Sequence, residues 1–126
     1  MTAAQDPRAA LLAAREQTSR RLAGLERDFA GSVEAADMAN ADDEHDPEGA
    51  TLAFERQHVA SLIEQARDQL VEIDEAIGRL DAGTYGACCV CGRPVAPERR
   101  AARPATRTCI DCAARGATGS ARPWRP

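Results

Sequence analysis

The chain lacks lysine altogether, and all 16 of its basic residues are arginine. No structural consequence follows beyond a GC-rich coding bias. Aromatics are almost as scarce, with two Phe, one Tyr and one Trp in 126 residues, too little large apolar volume for the deep core of a compact enzyme. No apolar run approaches the ~20 residues of a membrane-spanning helix, and no charged n-region, apolar core and small-residue cleavage site opens the chain. A cytosolic protein is expected. No nucleophile is paired with a base, and no pocket is indicated that would tune a carboxylate for acid–base work, so an enzyme is not expected.

What apolar content there is consists mostly of Ala with Leu, Ile and Val at helical rather than alternating spacing, which makes the class mainly α. Asp6-Pro7 is a helix start: the carboxylate accepts from free backbone N–H groups, and proline at the first position loses no intrahelical bond. From there Leu11, Thr18, Leu22, Leu25, Phe29, Val33 and Ala36 form one stripe, with Gly24 and Gly31-Ser32 as local weak points. Asp46-Pro47 repeats the start signal, with Thr51 as a later alternative cap. In the second helix Val59, Ile63, Ala66, Leu70, Ile73, Ile77 and Leu80 step by four and three alternately, the seam of a two-helix coiled coil, and Leu52 and Leu62 widen it. Two such helices bury their stripes most simply as an antiparallel hairpin. The 32 residues from Thr51 to Ala82 give an arm of about 48 Å at the helical rise. Gly83 ends it.

Between the helices, Asp37 to Glu48 sets six carboxylates against no arginine. The bland reading is a solvated connection; the sharper one is an acidic tip, at about residues 40–50, presented at the end of an arm. The total net charge of −4 conceals a split: residues 1–87 hold 8 Arg and 18 acids, residues 88–126 hold 8 Arg and 2 acids. An acidic arm repels nucleic-acid phosphate and suits a basic protein groove or a cation.

Cys88-x-x-Cys91 and Cys109-x-x-Cys112 lie 17 residues apart, a spacing that lets two knuckles close on one zinc ion. In a reducing compartment such pairs point to metal before disulfides. Four thiolates leave no position for water, so the zinc would be structural. Gly92 permits the tight backbone after the second ligand. Arg93, Arg99, Arg100, Arg103 and Arg107 read either as counter-charge to the doubly negative site or as a phosphate-binding face. Cys89 reads as a bystander. His45 in the tip and His58 on the second helix are solvated by default. The expected division is a helical hairpin over 1–82, a zinc finger over 83–113 and a disordered tail over 114–126.

The strings G-T-Y-G-A-C-C-V-C-G from Gly83 to Gly92 and R-P-A-T-R-T-C-I-D-C from Arg103 to Cys112 resemble the DksA/TraR family of zinc-finger transcription factors, with the likeness covering about residues 35–113. The resemblance implies a coiled-coil hairpin placed into the secondary channel of bacterial RNA polymerase, its acidic tip near the catalytic magnesium, and no sequence-specific reading of DNA. It carries the four ligands onto Cys88, Cys91, Cys109 and Cys112. For the tip it leaves two registers: Asp43-x-x-Asp46-x-Glu48 matches the aspartates of the family pattern D-x-x-D-x-A, and His45-x-x-Glu48-x-Ala50 matches its alanine. Asp43-Glu44-His45-Asp46-Pro47-Glu48 is also similar, with one insertion, to the D-x-H-P-x-D of some relatives. Asp43, His45, Asp46 and Glu48 are thus the expected tip residues, and a monomer is expected. Some members use the alarmone ppGpp through basic positions. The second arm has only Arg56, Arg67 and Arg79, so that property is not carried over.

The competing reading makes the arginine-rich end a DNA-binding or protein-interaction module and the helices its dimerisation element. Salt-sensitive DNA affinity that depends on Arg99, Arg100 and Arg103 would mark it.

Overall fold

The computed structural model describes residues 6–42 and 47–116, without the side chains of Ser32 and of residues 35–42 and 47–49. Among the described residues four helices follow in order: α1 (Pro7–Asp42), α2 (Pro47–Ala82), α3 (Pro97–Ala102) and α4 (Ile110–Ala114). Extended structure among the described residues is limited to one antiparallel bridge, between Ala87 and Pro94. The chain is mainly helical, two long packed helices followed by a four-cysteine segment. No described helix is long and apolar enough to cross a membrane.

The start of α1 follows from its first residues. Arg8 N–H donates to the Asp6 carboxylate at 3.1 Å, and Ala10 N–H makes the first helical bond to the Asp6 carbonyl at 3.1 Å. Pro7 sits where its missing N–H costs nothing. The helix then continues through Gly24 and Gly31 to Asp42. Glycine costs about 1 kcal/mol per helical position, and the flanking stripe of Leu22, Leu25, Phe29 and Val33, all half-buried, offsets that loss by packing.

The end of α2 is a Schellman turn. Thr84 N–H bonds the Arg79 carbonyl at 2.9 Å and Gly83 N–H bonds the Leu80 carbonyl at 3.2 Å, while Gly83 takes φ 79°. Only glycine adopts that left-handed conformation without a Cβ penalty.

The chain divides into two compact units. One comprises Glu16–Leu70. In it Ile63 and Ala66 are buried, and Val59, Leu62 and Leu70 are half-buried, on the predicted seam of α2. Arg67 reaches across to Glu26 of α1 at 3.3 Å. Phe54 lies off the seam and is 83% exposed.

The other unit comprises Met1–Arg15 and Val71–Pro126. Its core is Leu11, Ile73 and Ala76, with Ala14, Ile77, Leu80, Tyr85 and Ala105 packed against them. Ala76, fully buried, was absent from the predicted stripe. Arg8 pairs with Asp81 at 2.6 Å and Arg15 with Asp74 at 2.8 Å. Residue numbers rise along α1 as they fall along α2, so the two helices run antiparallel. Both pairs are about half exposed, and each contributes on the order of 0.5 kcal/mol. The ion pair of Arg107 with Glu75 differs, because its arginine side chain is only 14% exposed.

Candidate metal centre

Two short stretches build the site. In the first, the Ala87–Pro94 bridge is flanked by Cys88 N–H to the Arg93 carbonyl at 2.8 Å and Val95 N–H to the Gly86 carbonyl at 2.7 Å. Between those arms the chain turns tightly: Gly92 N–H bonds the Cys88 carbonyl at 2.9 Å, with Gly92 at φ 78°. The turn brings Cys88 and Cys91 to one side. In the second, Cys109 precedes α4 as its N-cap residue and Cys112 sits within that helix. Ala113 N–H bonds the Cys109 carbonyl at 3.0 Å, closing the first helical turn with both sulfurs on the same face.

The four sulfurs of Cys88, Cys91, Cys109 and Cys112 lie within 4.8 Å of one another. Across the two stretches, Cys91 Sγ and Cys109 Sγ are 3.8 Å apart. A tetrahedron with Zn–S bonds of about 2.3 Å has sulfurs separated by about 3.8 Å, so the donor set fits one structural zinc ion with no open position. None of the five cysteines forms a disulfide. Cys88 and Cys112 are fully buried, and with Val95 they constitute the core of this segment. The metal-binding atoms are therefore also the packing atoms.

Electrostatics differ from sulfur to sulfur. Burial pushes the Cys88 thiol up, but the backbone N–H groups of Cys91, Cys109 and Val90 outweigh it and bring it down to about 6. The backbone N–H of Arg93 lowers Cys91. At Cys112 the Arg115 guanidinium pulls down, while burial and the crowding thiols Cys109, Cys88 and Cys91 prevail and raise it to about 11.

Cys89 stands outside the cluster. Its N–H bonds the Arg107 carbonyl at 2.7 Å, and burial raises its thiol.

The arginines divide. Arg99 Nε donates to the Thr108 carbonyl at 2.9 Å, Arg100 Nε to the Val95 carbonyl at 3.2 Å, and Arg79 to the Thr106 carbonyl at 3.3 Å. Arg79 and Arg99 tie α2 and α3 to the loop that leads into Cys109, and Arg100 ties α3 back to the segment just before it. Arg115 lies beside Cys112 Sγ at 3.5 Å, a contact that reading the sequence did not single out. The i,i+3 spacing from Cys112 in a short helix was the available signal.

Of the expected tip residues, Asp43, His45 and Asp46 lie outside the described residues. Glu48 falls in the first turn of α2, with its side chain also outside the description. His58 is exposed on α2, in keeping with a solvated role. The expected tail beyond residue 116 likewise lies outside the described residues.

Comparison with known proteins gives three matches. The family model of the prokaryotic dksA/traR C4-type zinc finger matches residues 83–115. A protein of Aquifex aeolicus (strain VF5) described as uncharacterized is 46% identical over 44 residues, which is 35% of this chain and 30% of that protein's length. The structure of transcription factor DksA2 from Pseudomonas aeruginosa is similar with a TM-score of 0.71 and 29% identity, covering 90% of this chain and 83% of that one.

Proposed function

We propose that this chain, whose residues 83–115 match the dksA/traR C4-type zinc finger and whose fold is similar to that of transcription factor DksA2, is a non-enzymatic transcription factor of that kind, which binds RNA polymerase and modulates initiation by inserting its acidic tip into the secondary channel. The observation that carries the reading is the likeness to transcription factor DksA2 over 90% of the chain, not over the finger alone. In this proposal residues 1–82 are the helical hairpin and residues 83–113 the finger, held by Cys88, Cys91, Cys109 and Cys112 on one zinc ion. Asp43, His45, Asp46 and Glu48 are the working tip. The chain acts as a cytoplasmic monomer with no chemistry of its own. Its carboxylates enter a cation-rich channel and bias conformation or metal coordination at the active site of another protein.

Binding of DNA by the arginine-rich end has less support. Two of the three arginines it calls on, Arg99 and Arg100, donate to backbone carbonyls within the fold.

The test uses the triple variant Asp43→Ala, Asp46→Ala, Glu48→Ala. It is expected to be pulled down with core polymerase like the parent chain, to be displaced by a competitor that occupies the secondary channel, and to lose its effect on transcription. Regulation unchanged by the triple variant would sink the tip mechanism. Failure of the parent chain to bind polymerase would sink the whole proposal.

A further inference from the structure

We propose that Arg115 is a positioning residue of the metal centre, holding the Cys112 thiolate on the zinc ion through a charge-assisted N–H···S bond from its guanidinium. The inference rests on the four cysteines being zinc ligands, and goes beyond them to a residue that is not a ligand.

The geometry has a local cause. Cys112 and Arg115 are three residues apart at the end of α4, so one helical turn sets them on the same face. Arg115 N–H bonds the Asp111 carbonyl at 3.2 Å, and Gly116 N–H then bonds the Ala113 carbonyl at 3.0 Å. With its backbone held in that turn, the guanidinium reaches back over the helix to within 3.5 Å of Cys112 Sγ.

The energetics call for such a group. Zinc with four thiolates carries two net negative charges, and Cys112 is fully buried, so its sulfur has no solvent to stabilise the charge. Cys88 receives a backbone donor, the Val90 N–H at 3.4 Å. At Cys112 the donor is a side-chain nitrogen, that of Arg115. It brings a full positive charge as well as a hydrogen bond, which backbone groups cannot supply. Outer groups of this kind fix ligand orientation and hold the metal, and their loss commonly lowers metal affinity by about 10–100-fold.

The experiment uses the full chain loaded with zinc. Release to excess chromophoric chelator is timed for the parent chain and for Arg115→Ala, Arg115→Lys and Arg115→Glu, and the thiolate-to-metal charge-transfer band is recorded after replacement of zinc by cobalt. Arg115→Ala is expected to release zinc about tenfold faster and to move the cobalt band to lower energy, because the sulfur becomes more electron-rich. Arg115→Lys should restore part of both effects, and Arg115→Glu should exceed Arg115→Ala. Equal release rates and an unmoved band in Arg115→Ala would overturn the proposal while leaving the ligand assignment intact. A parent chain that purifies without zinc, and takes up neither zinc nor cobalt, would overturn the ligand assignment and this inference with it.

Discussion

The hydroxyl of Tyr85 donates to the carbonyl of Pro104 at 2.8 Å, while its ring packs on the cluster of Leu11, Ile73 and Ala76. One side chain thus belongs both to the helical core and to the loop that leads into the second cysteine pair. Tyr85→Phe keeps the ring and removes the bond. It should cost about 1 kcal/mol and lower the thermal midpoint by a few degrees. An unchanged midpoint in calorimetry would show that the bond holds nothing.

Burial raises the ionisation of Tyr85, against the opposing pull of Arg100 and Arg79. A group with a raised folded-state value contributes stability that is complete below its unfolded value, near 10, and is lost as pH rises through the folded value. Chemical denaturation of the parent chain above about pH 10 should therefore show a loss that Tyr85→Phe lacks. Parallel pH profiles for the two would refute this.

Removing the metal should dissolve the finger and spare the long helices. Apart from Val95, the buried core of that segment is the ligands Cys88 and Cys112, so metal binding, worth roughly 10–16 kcal/mol in small fingers, is also the folding energy. Metal analysis should return one zinc per chain. Chelation, or Cys88→Ser, should abolish hydrogen-exchange protection over residues 83–115 while α1 and α2 stay protected. Protection that persists without metal would contradict it.

Burial, not hydrophobicity, should rank substitutions in α2. Ala76→Leu forces extra volume beside Leu11 and Ile73 and should destabilise by about 1–3 kcal/mol. Phe54→Ser, at a position 83% exposed, should stay within about 0.5 kcal/mol. Denaturant unfolding compares the two directly, and the reverse order would refute the packing described here.

The hairpin was readable because periodicity is how a chain records which face it buries. Val59 to Leu80 in steps of four and three, and Leu11 to Val33 on α1, name the buried side without knowledge of the partner. Ala76 escaped because alanine occurs on both faces of a helix, and only its place in the buried cluster with Leu11 and Ile73 distinguishes it. The two short helices escaped because five or six residues are too few to show a period. Pro97-Glu98 nonetheless carried a start signal for α3, proline at N1 followed by an acid in the first turn. Cysteine spacing located the metal centre because two knuckles constrain their own geometry. The arginines could not be sorted, since the partners of Arg79, Arg99 and Arg100 are backbone carbonyls, which leave no mark in a sequence.

The turn at Gly83 has a consequence for spacing. Helix α2 ends at Ala82, Tyr85 is already committed to the core, Ala87 to the bridge with Pro94 and Cys88 to the sulfur cluster. There is no slack between them. Lengthening the chain by a single residue between Gly83 and Tyr85 would put the aromatic ring and the first cysteine out of step together, whereas the helices upstream could gain or lose whole heptads in matched pairs and keep their seam. Length in this molecule is adjustable at one end and fixed at the other.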